Sequence, residues 1–592
     1  MKTECTKSTE LKPVKERQRA RSPSHFVDSV DSVCSGSDSA EMKLCRRADL
    51  GMSMQVSPPT RRAFLKTIGQ AGLFCAAPTI ARSAAALHGD IVQISILHTT
   101  DLHGHILPTS DYAGNADLGG FARCVTQIRR WRWQNRNSIL IDIGDVYQGT
   151  DVSLRTNGAL MIDLFNHLKY DAWIVGNHEF DWGVEPFMNA LTKSKMPVLA
   201  ANMSMEGKAS GEILDSGNPF AKVRPYILKE IDGVKIAIIG VTTPGMPFWF
   251  RPEFIRGFDF EYPVEPVRRA ITKAKGDGAE AIVLAGHMGL KPRSGGDDFA
   301  NTVVALTAEF PKVVAFIAGH THQTIPSRIT NGVLLTQADH FGIHVGRLDL
   351  TFDRASKKLL RREARCERMN NRVGLDHVVL SRAKPHLDES ASALAQPIGT
   401  LAETLHVRGR PGQPSDVEAL IGAAIVEALR ERGTTVDGAM HGVFDEKNNF
   451  AAGPKTISDI WGLIPFENYL VTAELTPEEI KAVMEEVYAS REPRNLLGFE
   501  IETEGVGYER RITAMRLADG RTLERDKRYS IAFNTFDSRS GGHRFMKLRA
   551  LLETPATRCT FDPVQTRDAM IDYFRRHQVV HKVGSQGHRA AA

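Results

Sequence analysis

Five short apolar runs, each ending in a metal-ligating type of side chain, constrain this 592-residue chain more than any other feature. Ile96-Leu97-His98-Thr99-Thr100 runs into Asp101-Leu102-His103, and Ile139-Leu140-Ile141-Asp142-Ile143-Gly144 into Asp145. Trp173-Ile174-Val175-Gly176 runs into Asn177-His178-Glu179, Ile282-Val283-Leu284-Ala285-Gly286 into His287, and Phe316-Ile317-Ala318-Gly319 into His320-Thr321-His322. Near-continuous apolar runs of this length are the mark of strands buried on both faces. The strands predicted over the first half are Ile91–His98, Ser138–Ile143, Ala172–Val175, Val198–Ala201, Lys235–Gly240, Ala281–Ala285, Val313–Ala318 and Val333–Thr336. Between them, helical spacing predicts helices over Gly120–Arg136, Leu154–Leu168, Val184–Lys193, Val264–Lys275 and Phe299–Glu309. The alternation argues an α/β domain with buried sheets.

In an extended chain residues i and i+2 point to the same side. Asp101 with His103, and His320 with His322, are therefore each expected to aim two ligands at one spot. Glycines 144, 176, 286 and 319 allow a sharp exit from the strand and close approach of backbone to a bound group. Oxygen and imidazole ligands without thiolate suit divalent Zn, Mn, Fe or Co. Seven candidate ligands exceed the needs of one ion with open positions left; two ions sharing a carboxylate use them comfortably.

Asp101-x-His103, Gly144-Asp145, Gly176-Asn177-His178-Glu179, Gly286-His287 and Gly319-His320-Thr321-His322 resemble the five-part signature of the calcineurin-like metallophosphoesterases. Gly119-Gly120-Phe121-Ala122-Arg123 and Phe180-Asp181-Trp182-Gly183 make the chain similar to the bacterial 5′-nucleotidase/UDP-sugar hydrolase family over about residues 92–580. The resemblance implies a four-layer β-sandwich flanked by helices, followed by a smaller α/β substrate-binding domain. It implies one divalent ion on Asp101, His103, Asp145 and His322, and a second on Asp145, Asn177, His287 and His320, with Asp145 bridging. His178 is then no ligand. Oriented by Asp181, it faces the scissile phosphate and stabilises charge or protonates the leaving oxygen, while a hydroxide between the ions attacks phosphorus. Arg123 reads as a structural residue of the first helix, with a substrate contact as the alternative. His105, His340 and His344 read as ordinary loop or strand histidines.

The second half begins near Ile398. Helices are predicted over Asp416–Arg432, Thr476–Ala489 and Val564–Arg576, and strands over Arg511–Leu517 and Tyr529–Asn534. Thr476-Pro477-Glu478-Glu479 has the form of a capping box with proline at the first helical position. The resemblance implies a base stacked between Phe466, in Ile464-Pro465-Phe466-Glu467-Asn468, and Phe536, in Asn534-Thr535-Phe536. The chain departs from the family where an Asn-Gly-Gly-Gly-Ile-Arg pattern is expected: it has His441-Gly442-Val443-Phe444-Asp445-Glu446, and the anchoring Arg is missing. Gly541-Gly542-His543 stands where Gly-Gly-Asp is expected, and Arg539 and Arg544 are the nearby candidates for replacement cations. The expected activity is hydrolysis of a small-molecule phosphoester, a nucleotide first of all. The alternatives are a 2′,3′-cyclic nucleotide, a UDP-sugar or a protein-bound sulfonate as substrate of the same metal site, and lastly a nucleotide-binding protein without catalysis.

Thr60-Arg61-Arg62-Ala63-Phe64-Leu65-Lys66 resembles a twin-arginine export signal, and a mildly apolar stretch and Ala81-Arg82-Ser83-Ala84-Ala85-Ala86 follow it. Charged start, apolar middle and small-residue end make a cleavable leader, too short for a permanent membrane anchor. The expected partner is the twin-arginine machinery and the expected place periplasmic or secreted. Residues 1–86 hold 14 basic and 8 acidic residues, a net of +6, and the remaining 506 residues a net of −1. The folded part thus has no basic bias to suggest nucleic-acid binding. Of the seven cysteines, Cys124, Cys366 and Cys559 lie beyond the leader, with no CxxC pair, and read as inert thiols. The expected organisation is a disordered extension (1–53), a leader (54–86), a dimetal phosphoesterase domain (87–352), a helical linker (353–395), a substrate-binding domain (396–580) and a tail (581–592).

Overall fold

The computed structural model describes residues 91–584 apart from 214, 216, 292–294, 444–447 and 491–493. The expected extension, the leader and most of the tail lie outside these residues.

Alternation along the apolar runs decides the layering. In Ile91–Thr99, Ile94 and Ile96 enter one core while Leu97 enters another; in Ser138–Asp142, Ile139 and Ile141 separate from Leu140 in the same way. Val234–Val241 and Ala281–Gly286 sort alike, with Ile236, Ile238, Val283 and Ala285 joining the first of these cores. A shared aliphatic core therefore lies between two sheets packed face to face. The first sheet runs Leu359–Arg368, His344–Asp353, Ile91–Thr99, Ser138–Asp142, Ala172–Ile174, Val198–Leu199, Val223–Arg224. The second runs Thr324–Thr330, Val333–Ala338, Ala315–Ala318, Ala281–Gly286, Val234–Val241, Tyr226–Ile231. Helices Phe121–Gln134, Ala159–Leu168 and Val184–Lys193 cover the outer face of the first sheet. Val264–Gly276 and Val303–Glu309 cover that of the second, completing four layers.

Three expectations need correction. The segment 353–395 is not all helical linker: Leu359–Arg368 is the edge strand of the first sheet, antiparallel to His344–Asp353, and only then comes helix His377–Leu394. An edge strand carries charge along its open side, and its Arg361, Arg362 and Glu363 gave the stretch a helical look. The helix expected over Leu154–Leu168 is two, Asp151–Arg155 and Ala159–Leu168, broken where Asn157 (φ 46°) and Gly158 (φ 71°) turn left-handed. The helix expected from Val564 starts at Thr566, after strand Thr560–Gln565.

The second region opens with Pro397–Leu401, in a three-stranded sheet with Gly453–Thr456 and Val579–Val580. Its main sheet orders Asn495–Leu497, Gly438–His441, Tyr529–Asn534, Tyr469–Leu475, Thr560–Gln565. Helix Pro477–Ala489 starts with the capping box: the Glu479 amide donates to Thr476 Oγ1 (3.3 Å) and the Thr476 amide to Glu479 Oε2 (2.8 Å). Cys124 is buried, Cys366 and Cys559 are half-buried, and all three are free thiols. No helix among the described residues is long and apolar enough to cross a membrane.

Candidate active site

Ile91–Thr99, Ser138–Asp142 and Ala172–Ile174 are parallel neighbours, as are Ala281–Gly286 and Ala315–Ala318. Their carboxyl ends therefore lie side by side on one edge of the sandwich, where ligands gather in open α/β sheets. The loops leaving these ends hold one another: the Asp101 amide donates to Gly144 O and the His103 amide to Asp145 O, both at 2.9 Å. Asp101, His103, Asp145, His320 and His322 all have φ between 47° and 70°. Non-glycine residues occupy that region at a cost, and such strain clusters at functional sites. A Cβ at Gly144 (φ 97°) would come within 2.7 Å of His287 Nδ1, and one at Gly176 would strike the Asp145 carboxylate. Close backbone approach requires glycine at both.

Two groups of ligand-type atoms result: Asp101, His103 and His322 in one, Asp145, His287 and His320 in the other, each converging within 4.8 Å. The two are contiguous. His103 Nε2 lies 3.2 Å from His322 Nε2 and 3.8 Å from Asp145 Oδ2; His287 Nε2 lies 3.0 Å from Asp145 Oδ2 and 3.1 Å from Asn177 Oδ1. Asp145 thus touches both groups. The expectation that His320 and His322 aim at one spot from an extended chain fails: both are left-handed, and their side chains go to different groups.

The chemistry of this donor set fits two divalent cations. His103 Nδ1 donates to Gln148 O (2.8 Å) and His287 Nδ1 to Ile143 O (2.7 Å), so each ring turns Nε2 inward. Such outer bonds are the usual supports of metal-bound histidines. Burial holds His103 well below its ordinary pKa, leaving a neutral ring with a lone pair near a carboxylate. At His287 burial acts the same way, but the Asp145 carboxylate prevails and pushes the ring up to about 9. The site therefore calls for positive charge beside Asp145. His322 Nδ1 is held by Tyr112 Oη at 2.8 Å.

His178 stands beside these groups. Its Nδ1 donates to Asp181 Oδ2 at 2.6 Å and its amide to Asp145 Oδ1 at 2.8 Å. Its ring packs edge-on against His103 at 5.1 Å and lies nearly parallel to the Phe466 ring at 6.1 Å. Asn177, His178, Asp181 and His320 share a cavity of about 350 Å³ with Phe466 and Phe536. Both second-domain aromatics thus reach the cleft that holds the polar site. The remaining expected roles resolve simply. Arg123 is committed to Asp117 (2.7 Å) and Val373 O (3.2 Å), His105 stacks on Phe341 at 3.9 Å, and Asp339 holds both His340 (2.6 Å) and His344 (2.9 Å). His441 is buried against Gly442 O, and His543 stacks on Phe299 of the first domain at 4.6 Å.

Several residues escaped the sequence reading. Glu179 accepts the amides of Asp145 (3.1 Å), Val146 (2.8 Å) and Gly176 (2.6 Å), binding two ligand loops together; its place in the Asn-His-Glu motif was the available signal. Glu467, next to Phe466, accepts from Gln148 Nε2 and pairs with buried Arg567 at 3.3 Å. Since Gln148 O supports His103, the aromatic side of the cleft is tied to a ligand histidine. Trp249, at the end of helix Met246–Trp249, and Arg251 and Phe254, from the loop after it, also line the cleft, and this stretch carries no sequence motif.

Residues 94–324 match the family model for calcineurin-like phosphoesterases, and residues 397–550 that for the 5′-nucleotidase C-terminal domain. The chain is 24% identical over 530 residues to endonuclease YhcR of Bacillus subtilis (strain 168), a match covering 82% of this chain and 41% of that protein. It is 32% identical over 279 residues to a snake venom 5′-nucleotidase from Naja atra, covering 45% of this chain and 51% of the venom protein. The chain thus spans about half or less of the length of these curated relatives. The crystal structure of a 5′-nucleotidase precursor from Thermus thermophilus superposes with a TM-score of 0.63 at 23% identity, covering 83% of this chain and 97% of that one.

Proposed function

The chain belongs, through residues 94–324 and 397–550, to the calcineurin-like phosphoesterases that carry a 5′-nucleotidase C-terminal domain, and on that footing we propose that it hydrolyses nucleotide phosphoesters in the cleft between its two domains. The observation that carries this reading is one cavity shared by Asn177, His178 and His320 from the first domain and by Phe466 and Phe536 from the second. Asp101, His103 and His322 would hold one divalent ion and Asn177, His287 and His320 another, with Asp145 between them; Zn, Mn, Co and Fe all suit the donors. When bound, such a pair lowers the pKa of water and neutralises charge on phosphoryl oxygens. Asp181 holds the Nδ1 proton of His178, which fixes the ring and leaves Nε2 to stabilise or protonate the leaving oxygen. Phe466 and Phe536 offer aromatic faces to a base, a contact worth ~1–3 kcal/mol and tolerant of base identity.

A panel of nucleoside 5′-monophosphates, 2′,3′-cyclic nucleotides and UDP-sugars, assayed for release of phosphate, nucleoside and nucleoside monophosphate with Mn, Zn and Co, tests this. The 5′-monophosphates should give the highest kcat/KM. Turnover of p-nitrophenyl phosphate with no release from any nucleotide refutes it. Arg61 and Arg62 within Thr60–Lys66 support export by the twin-arginine route to the periplasm. Replacing both arginines with lysine should hold the protein in the cytoplasm on an immunoblot of cell fractions; unchanged export refutes that route.

A further inference from the structure

Past Phe250, which walls both spaces, the cleft adjoins a second cavity of about 440 Å³ that none of the hydrolytic residues lines. Arg251 lines the first cavity; Arg256, Arg539 and Glu253 line the second. Arg549 stands with Arg539, the two sharing Glu553 at 2.9 and 2.8 Å. Arg251 has Glu253 at 3.3 Å and Arg256 is a further positive charge near that carboxylate, so four guanidinium groups are set against two carboxylates. Acceptors run short as well: Arg251 Nε, Arg539 Nε and Arg549 Nη1 are buried without a hydrogen-bond partner among the described residues. Charged donors left unmatched inside the protein cost free energy and mark an excess of positive charge around these cavities. Burial and neighbouring Arg549 hold Arg539 below its ordinary pKa, the sign of crowded positive charge.

The group is built from both domains. Arg251 and Arg256 come from the loop after helix Met246–Trp249, and Arg539 reaches back to donate to Pro247 O at 2.8 Å. Guanidinium matches phosphate oxygens two at a time, which makes clustered arginines a phosphate site rather than a site for a neutral group.

We propose that Arg251, Arg256 and Arg539 form a subsite for a second phosphate group of the substrate, remote from the phosphoester that is cleaved. This rests on the reading that nucleotides are hydrolysed in the adjoining cleft, and narrows it to nucleotides with a further phosphate. Arg549 backs Arg539 and adds charge.

The test compares pairs of substrates differing by one phosphate: adenosine 5′-monophosphate with adenosine 3′,5′-bisphosphate, and fructose 6-phosphate with fructose 1,6-bisphosphate. KM is measured on the metal-loaded enzyme, and Kd by calorimetry where there is no turnover. The bisphosphate of at least one pair should bind roughly 10- to 100-fold more tightly, the range for one charged hydrogen-bonded contact. Arg251→Gln should abolish most of that advantage and Arg251→Lys retain part of it. Arg256→Gln, at an exposed position, should lower it with folding unaffected, which covers the case of an unstable Arg251 variant. If only the sugar pair shows an arginine-dependent advantage, the subsite stands and its narrowing to nucleotides falls, while turnover of the 5′-monophosphates separately decides the nucleotide reading. If neither pair shows one, or the advantage survives in both glutamine variants, the subsite is refuted whatever the nucleotide results. Inorganic phosphate at the same concentration as a separate addition should not reproduce the gain; if it does, the site holds a free ion and the proposal falls.

Discussion

His98 lies within strand Ile91–Thr99, paired with Gly346 and wholly buried. Among the described residues neither ring nitrogen has a hydrogen-bond partner, and the ring occupies the space where a Cβ on residue 346 would stand. Burial alone pushes its pKa down from 6.5 to about 3. The folded chain therefore leaves this ring neutral until pH nears 3, while the unfolded chain protonates it near 6.5. Its effect on stability is nil above pH 6.5, and stability is lost as pH falls through the window between the two values. At 1.36 kcal/mol per pH unit the loss at pH 5 is about 2 kcal/mol. His98→Leu removes the titration at nearly constant side-chain volume. Urea unfolding of both proteins at pH 7.5, 6 and 5, with excess metal present, should show the wild type losing about 2 kcal/mol more than the variant by pH 5. Metal loss and carboxylate titration are common to both, so the difference isolates the ring. Parallel stability curves would refute the claim that His98 is buried neutral and unpartnered.

Asp145→Ala removes the carboxylate that touches both ligand groups. It should abolish turnover and lower metal content from about two ions per chain, by elemental analysis; unchanged two-ion occupancy contradicts the shared-ligand assignment. His178→Ala should keep its metal and lose roughly 10²–10⁴ in rate, the range for one acid–base group, whereas loss of metal would make His178 a ligand. Phe466→Ala and Phe536→Ala should each weaken nucleotide binding by ~1–3 kcal/mol, about 5- to 150-fold, and largely spare p-nitrophenyl phosphate. Equal loss on both substrates, with circular dichroism intact, would assign the rings to packing.

The sandwich was legible because its strands are buried on both faces and end in polar turns. Ile94, Ile96, Ile139 and Ile141 alternate with Leu97 and Leu140 as a two-sided strand demands. The ligands were legible for the same reason, since each follows an apolar run. Their backbone was not: extended geometry pairs His320 with His322, and left-handed turns send them to different groups. The strand Leu359–Arg368 hid behind its charge, as edge strands do. Least legible was the cleft wall. Trp249, Arg251 and Phe254 meet Phe466 and Phe536 only because two domains pack together, and no local spacing encodes a contact across more than 200 residues.

The ligand residues run from Asp101 to His322, on loops from both sheets of the sandwich. No hairpin or single helix–strand unit among them carries enough donors to retain a cation alone. Metal uptake accordingly reports completion of the whole first domain, and a chain interrupted before Gly319 would still lack the last two histidines. Which element is installed then depends on the free metal present where the sandwich closes as well as on the geometry and ligand types of the donors.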